Sequence, residues 1–189
     1  MQNQPVELLQ AEVDEDDQSF FRLLVNGKAI KYLTVDPGLY AVEDICFVAK
    51  STTDGIPYFA RAVRTQFPSV RNQWHKTRVD YLDLLIGNKL RTGIYDVKCP
   101  QFDTVVIAKF ARFEWEIQYL ENETTAYQWI DGHQIGPQFL GYLTEDGRVI
   151  GFLMERMSNA RHAGPSDLAA SQQTVQLSCS PVERYDNRL

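Results

Sequence analysis

The spacing of apolar residues changes twice between Val79 and Met154, and this change constrains the fold more than any other feature. Short runs rich in β-branched and aromatic residues extend to Phe110, which is typical of β-strands. From Phe113 to Ile130 the apolar spacing becomes three and four residues, as on one face of a helix. Short β-prone runs then return. The chain is therefore predicted to be an α+β protein with one long helix between strands.

Local composition places the strands of this region and their turns. Three successive antiparallel strands are predicted before the helix and a hairpin after it, over residues 81–86, 89–97, 104–110, 138–143 and 148–154. Gly87-Asn88 is the predicted turn between the first two strands, and Thr144-Glu-Asp-Gly147 is the turn of the hairpin. The prediction is an antiparallel five-stranded sheet with one long helix.

An additional β-rich segment precedes this sheet. Asn26-Gly27 lies between two β-prone runs, and this dipeptide is the strongest short-range hairpin signal. Before it, an acidic run is interpreted as solvated chain; it comprises Glu12, Asp14, Glu15, Asp16 and Asp17. After the sheet, Ser166 is the predicted N-cap of a further helix.

The predicted organisation has five parts. Residues 1–18 are an acidic flexible leader, 19–78 the N-terminal β-rich segment, and 79–157 the sheet with its helix. Residues 158–177 are a linker and the start of the further helix, and 178–189 are an irregular tail.

Composition excludes several classes of protein. The formal net charge of -6 and pI near 5.1 argue against a nucleic-acid-binding surface, which needs an excess of Lys and Arg. The three cysteines lack C-x-x-C spacing, so neither a disulfide framework nor a zinc site is predicted, and no metal is expected. No window has the roughly 18 apolar residues of a membrane helix. We therefore expect a cytoplasmic or nuclear protein that binds neither membranes nor nucleic acid.

One lysine stands out within an apolar strand. In Val105-Val-Ile-Ala-Lys109, alternation places Val105, Ile107 and Lys109 on one face, where the ammonium needs a counter-charge or a phosphate. Glu123, on the flank of the helical stripe, is the natural partner. Glu116, one heptad earlier on the same flank, is the competing candidate. The alternative reading is that these are unrelated surface charges.

Three segments of this region resemble fungal protein-kinase-like proteins near the aminoglycoside-phosphotransferase-like branch: 108–117, 121–127 and 136–155. The resemblance extends from about Tyr81 to Gln176, about half of the chain. It implies that residues 79–157 form a kinase-like small lobe (N-lobe) and that the helix beginning in 158–177 opens the second lobe. The order strand, strand, strand, helix, strand, strand agrees with that lobe.

The resemblance also implies roles for individual residues. Lys109 would face the nucleotide phosphates and Glu123 would be its helix partner, with ATP as the ligand. The backbone of Met154 to Arg156 would meet the adenine at the hinge, with Glu155 in its middle. Ile107 occupies the position where kinases usually keep alanine against the adenine.

The sequence lacks the motifs that carry catalysis and phosphate binding in this family. It contains no His-x-Asp, no Asp-Phe-Gly and no G-x-G-x-x-G, and the larger Ile107 narrows the adenine position. We therefore expect a catalytically incomplete pseudokinase fragment, truncated before the catalytic loop, with no catalytic residues and weak or absent ATP binding. The alternative is a protein–protein interaction module without nucleotide binding. In either case a protein partner or a homodimer would use the exposed face of the lobe.

Overall fold

The computed structural model describes residues 6–38, 66–158, 164–168 and 172. The chain divides into two compact units, one of residues 1–68 with 112–116 and one of residues 69–111 with 117–189. The predicted tail, 178–189, lies outside the described residues, as does most of the predicted linker and helix over 158–177.

The first unit is built on a three-stranded antiparallel sheet in the order β1-β2-β3, formed by Val6–Glu12, Ser19–Val25 and Ala29–Val35. The predicted hairpin at Asn26-Gly27 is confirmed, with φ of 56° and 64° at the two turn residues. Positive φ at both positions suits the right-handed twist of the flanking strands, and Asn and Gly tolerate it. Phe21 and Leu23 of β2 form the buried core of this unit.

The acidic leader predicted over residues 1–18 is wrong in part, because Val6–Glu12 forms β1. Leu8 and Ala11 of this strand pack against the core of Phe21 and Leu23, so the segment has an apolar face to bury. The acidic run begins only at the end of the strand. There the Asp14 carboxylate accepts hydrogen bonds from the backbone N–H groups of the residues two and three positions later, at 2.9 and 3.0 Å.

The second unit contains a six-stranded sheet in the order β4-β8-β9-β7-β6-β5. Its strands are β4 (Arg78–Asp80), β5 (Leu85–Arg91), β6 (Ile94–Cys99), β7 (Phe102–Phe110), β8 (Phe139–Glu145) and β9 (Arg148–Met154). Five strands pair antiparallel, as predicted, but the prediction omitted β4, which pairs parallel with β8. A three-residue strand carries too short a pattern to be recognised by alternation. The strand predicted over 81–86 is wrong in its first half, because Tyr81–Asp83 form a 3-10 turn and β5 begins at Leu85.

The predicted turn at Gly87-Asn88 is also wrong, because β5 continues through both residues. The chain reverses instead at Thr92-Gly93, where Gly93 has φ of 68° and its carbonyl oxygen accepts the Phe110 N–H at 2.9 Å. A side chain at Gly93 would meet the Phe110 carbonyl oxygen at 2.7 Å, so this position requires glycine.

The helix α1 spans Ile117–Ile130 and buries Ile117, Leu120 and Thr124. It begins four residues later than predicted, because Glu114–Glu116 form a 3-10 turn in the first unit. Its predicted end is confirmed: Gly132, with φ of 76°, follows the last turn in the left-handed conformation that helix ends favour.

The short segment at 164–168 contains a 3-10 turn, Pro165–Asp167. Ser166 lies inside this turn, so its predicted role as N-cap is wrong. The position before the turn is Gly164, whose N–H donates to the Asp167 carboxylate at 2.7 Å. No helix among the described residues is long and apolar enough to cross a membrane.

Candidate functional site

Lys109 lies near the end of β7 and forms an ion pair with Glu123 of α1. The distance from Lys109 Nζ to Glu123 Oε1 is 2.5 Å, and the side chains are 26% and 37% exposed. The predicted pairing is therefore present in the structure. Glu116, the competing candidate, instead binds Arg112, with Arg112 Nη2 at 2.6 Å from its Oε1.

Strand register shows which side chains share the face of Lys109. Lys109 lies opposite Phe152 of β9, while Ile107, two residues earlier, lies opposite Met154 of β9 and Asp96 of β6. Directly opposite residues project to the same side of a sheet, as do residues two apart on a strand. These five residues, Asp96, Ile107, Lys109, Phe152 and Met154, are named here the Lys109 face.

The helix covers one part of the Lys109 face. Tyr127 of α1 packs on Phe152, with ring centroids 5.1 Å apart, and its hydroxyl donates to Met154 Sδ at 3.0 Å. Burial, with a smaller contribution from the negative charge of Glu123, raises the pKa of the Tyr127 hydroxyl. Glu123 is thus set between a cation on the sheet and an aromatic hydroxyl on its own helix.

The other part of the Lys109 face is lined by Ile107 and Asp96. Ile107 is buried with 7% exposure. Asp96 is 8% exposed, which is rare for a carboxylate without strong partners. Its Oδ1 lies 3.2 Å from Nε of Arg156, yet among the described residues no group donates a hydrogen bond to this oxygen. The contact is therefore a charge attraction without hydrogen-bond alignment.

Glu155 does not join the Lys109 face through its side chain. Its N–H donates to the Gln138 carbonyl oxygen at 2.9 Å, and its carboxylate accepts the Gln138 N–H at 3.4 Å. The residue is exposed at the end of β9. Of the five residues predicted for the site, the structure brings together Lys109, Glu123, Ile107 and Met154, and it directs the Glu155 side chain to Gln138.

Sequence reasoning missed Asp96, and it included Arg156 only through its backbone, not through the side chain that contacts Asp96. The signal for Asp96 was present, because the alternation in Ile94-Tyr-Asp96 places it on one face with an apolar neighbour. The contact of the Arg156 side chain with Asp96 gave no such signal. Arg156 lies beyond the end of β9, and only the fold brings its guanidinium back to β6.

A segment without regular secondary structure, residues 69–77, holds α1 against the sheet. On the helix side, Glu121 accepts the N–H groups of Arg71 and Asn72 at 2.5 and 3.0 Å. On the sheet side, the Val70 N–H donates to the Val149 carbonyl oxygen at 3.0 Å, and the Tyr142 hydroxyl donates to the Asn72 carbonyl oxygen at 2.8 Å. The segment therefore fixes the position from which Glu123 reaches Lys109.

The described residues contain no group of three or more His, Cys, Asp or Glu side chains that could hold a metal ion. Comparisons of the chain with protein-family models, curated proteins and solved structures found no match.

Proposed function

We propose that this chain is a catalytically incomplete, protein-kinase-like small lobe that binds a nucleotide through the Lys109 face. The observation that carries the proposal is the 2.5 Å ion pair between Lys109 and Glu123. In protein kinases a strand lysine held by a helix glutamate presents its ammonium to the nucleotide phosphates. Here Lys109 lies on the third of three consecutive strands and Glu123 on the helix that follows, in that same order.

The surroundings of the pair support this role physically. Both side chains are partly exposed, so a phosphate can reach the ammonium without disrupting a closed core. Glu123 limits the positions that the flexible lysine side chain adopts, which lowers the entropy lost when a phosphate binds. Met154, which is partly buried and lies two residues beyond Phe152 on the same face, offers an apolar contact to a base.

The proposal excludes phosphoryl transfer by this chain. A kinase needs an aspartate to accept the substrate proton and another to hold magnesium. The 189 residues contain neither His-x-Asp nor Asp-Phe-Gly. The lobe therefore acts by binding a nucleotide, and we take ATP as the reference ligand. We expect its affinity to be weak, because Ile107 takes the place of a smaller residue.

Isothermal titration with ATP, with and without magnesium, tests this proposal. We expect binding by the wild-type chain and a loss of at least about tenfold in affinity for Lys109→Ala, since a charge-assisted contact contributes about 1.5–3 kcal/mol. Lys89→Ala is the matched control, because Lys89 is an exposed lysine on β5. Failure of the wild type to bind any nucleoside triphosphate, or equal affinity in both lysine variants, would refute the proposal.

A second candidate is a protein-interaction module, and the exposure of β5 favours it. This strand lies at the edge of the six-stranded sheet, and Leu85, Ile86 and Leu90 are 72%, 41% and 49% exposed. Edge strands with apolar side chains tend to pair with other chains. If this function is correct, sedimentation equilibrium will show a dimer that Leu85→Ser with Leu90→Ser abolishes. A monomer for the wild type at all concentrations would remove the homodimer form of this candidate.

A further inference from the structure

The buried carboxylate of Asp96 lies in the part of the Lys109 face where the base of a nucleotide would bind. Asp96 and Met154 lie on either side of Ile107 in register, so the three form a row across β6, β7 and β9. Lys109 follows Ile107 by two residues, which covers about 6.6 Å along a strand. The row of Asp96, Ile107 and Met154 is thus at a distance from the Lys109 ammonium that suits a nucleotide whose base lies at the row and whose phosphates lie at Lys109.

Asp96 has an unused capacity to accept hydrogen bonds. Its Oδ1 is buried, and among the described residues none donates to it. An ionised carboxylate accepts but cannot donate, and a buried acceptor left unpaired costs free energy. A ligand that supplies N–H groups at this point would recover that cost, whereas one that presents lone pairs would be repelled.

The neighbour of Asp96 indicates which donor chemistry fits. Arg156 places its guanidinium Nε 3.2 Å from Oδ1, without hydrogen-bond alignment. Its side chain is 55% exposed, compared with 11% for Asp96, so it can leave more readily than the aspartate can move. The group that best replaces the Arg156 guanidinium is one that, like it, carries two N–H donors on nitrogens attached to a single carbon.

Guanine carries that pair. Its ring N1–H and exocyclic N2–H flank one carbon, as two N–H groups do in a guanidinium, and both can donate to the two oxygens of one carboxylate. Adenine presents an unprotonated ring nitrogen beside its amine, which places a lone pair toward the carboxylate. Of the two bases, only guanine therefore presents two adjacent N–H donors to the carboxylate that carries the unpartnered Oδ1 of Asp96.

We propose that the Lys109 face binds a guanine nucleotide in preference to an adenine nucleotide, with the base displacing Arg156 and donating two hydrogen bonds to Asp96. This inference rests on the proposed nucleotide-binding function and changes its ligand from ATP to a guanine nucleotide. No covalent step is involved. Arg156 competes with the base for Asp96, so the Arg156 side chain must move away before the base can reach the carboxylate.

Isothermal titration with GTP, ITP and ATP tests the preference on the full chain. ITP keeps N1–H but lacks the 2-amino group. We expect GTP to bind at least about tenfold more tightly than ATP, with ITP between them, because hydrogen bonds to a charged group are among the stronger ones. Asp96→Asn should bring the GTP-to-ATP affinity ratio close to one, while Arg156→Gln should increase GTP affinity. Circular dichroism would verify that each variant folds.

The outcomes separate this inference from the function it rests on. ATP binding that depends on Lys109, with no preference for GTP, would overturn the guanine assignment and leave nucleotide binding intact. A GTP preference that survives Asp96→Asn would likewise overturn the role of Asp96. If neither GTP nor ATP binds, both the inference and the proposed function are wrong.

Discussion

The indole N–H of Trp74 donates to the main-chain carbonyl oxygen of Thr124 at 3.1 Å, which joins the segment 69–77 to the middle of α1. The Trp74 ring also packs on Phe139 of β8, with centroids 4.7 Å apart. One side chain therefore contacts both the helix and the sheet. Thr124 itself is fully buried at this point.

Replacing Trp74 by Phe should destabilise the protein. The variant keeps an aromatic ring but loses the hydrogen bond and part of the packing, so we expect the free energy of unfolding to fall by about 1–2 kcal/mol. Urea unfolding measures this change. Trp129→Phe is the control, because Trp129 is 62% exposed, and its effect should stay within about 0.5 kcal/mol. Equal effects of the two variants would contradict the structural role of Trp74.

The ion pair of Lys109 and Glu123 should contribute little to stability. Its side chains are 26% and 37% exposed, so solvent screens the attraction and the two long side chains lose rotamer freedom. A double-mutant cycle with Lys109→Met and Glu123→Gln should give a coupling free energy below about 1 kcal/mol. A coupling above about 2 kcal/mol would instead mean that the pair behaves as a buried one.

Gly151 should not tolerate a side chain. A Cβ at this position would overlap the Lys109 carbonyl oxygen and lie 2.6 Å from Phe110 Cα, and both belong to the backbone of the adjacent strand. We expect Gly151→Ala to lower the free energy of unfolding by about 3 kcal/mol or more, or to prevent folding. Thermal unfolding tests this expectation.

Gly136→Ala provides the comparison for that variant. The nearest atom to its added Cβ would be Ile130 Cδ1 at 3.2 Å, the end of a side chain that can move. A small effect here, within about 1 kcal/mol, would show that the loss at Gly151 comes from backbone overlap. A stable Gly151→Ala protein would mean that β7 and β9 are further apart than the structure has them.

Stability should decline at alkaline pH because of two tyrosines. Burial is the main cause that raises the pKa of both Tyr127 and Tyr142 above the ordinary 10.0. The unfolded chain therefore loses these protons at lower pH than the folded one does. Their contribution is complete below pH 10.0 and is lost as pH rises through the higher folded values.

Unfolding titrations in urea between pH 8 and 11.5 measure this decline, with the chosen pH range bracketing the ordinary tyrosine pKa of about 10. Tyr127→Phe should flatten the alkaline slope, whereas Tyr119→Phe should leave it unchanged, since Tyr119 is 60% exposed. An unchanged slope in Tyr127→Phe would show that the hydroxyl ionises with the same pKa in the folded and unfolded chain.

Much of the sheet and the helix could be predicted because their signals are local. Asn26-Gly27 defines a hairpin by its own conformational preference, and the stripe of Ile117, Leu120 and Thr124 repeats often enough to show a helix. The pairing of Lys109 with Glu123 followed from two such local patterns. One pattern places Lys109 on a strand and the other places Glu123 on a helix, and each is read from neighbouring residues alone.

The features that escaped prediction depend on distant parts of the chain. The parallel pairing of β4 with β8 joins Val79 to Leu143, and no local spacing reports it. Gly87-Asn88 has the composition of a turn, yet the close approach at Gly93 determines where the chain reverses. Arg156 meets Asp96 only after β9 has been placed two strands from β6.

The segment 69–77 also determines how α1 separates from the sheet when the second unit unfolds. Asn72 donates through Nδ2 to Thr125 Oγ1 and Gln128 Oε1 of α1, at 3.1 and 2.9 Å, while its carbonyl oxygen accepts from Tyr142 of the sheet. Asn72 therefore binds both the helix and the sheet, and displacing the segment 69–77 breaks its hydrogen bonds to both. The amide protons of α1 and of the central strands should consequently exchange with solvent through the same rare opening event, at a common free energy.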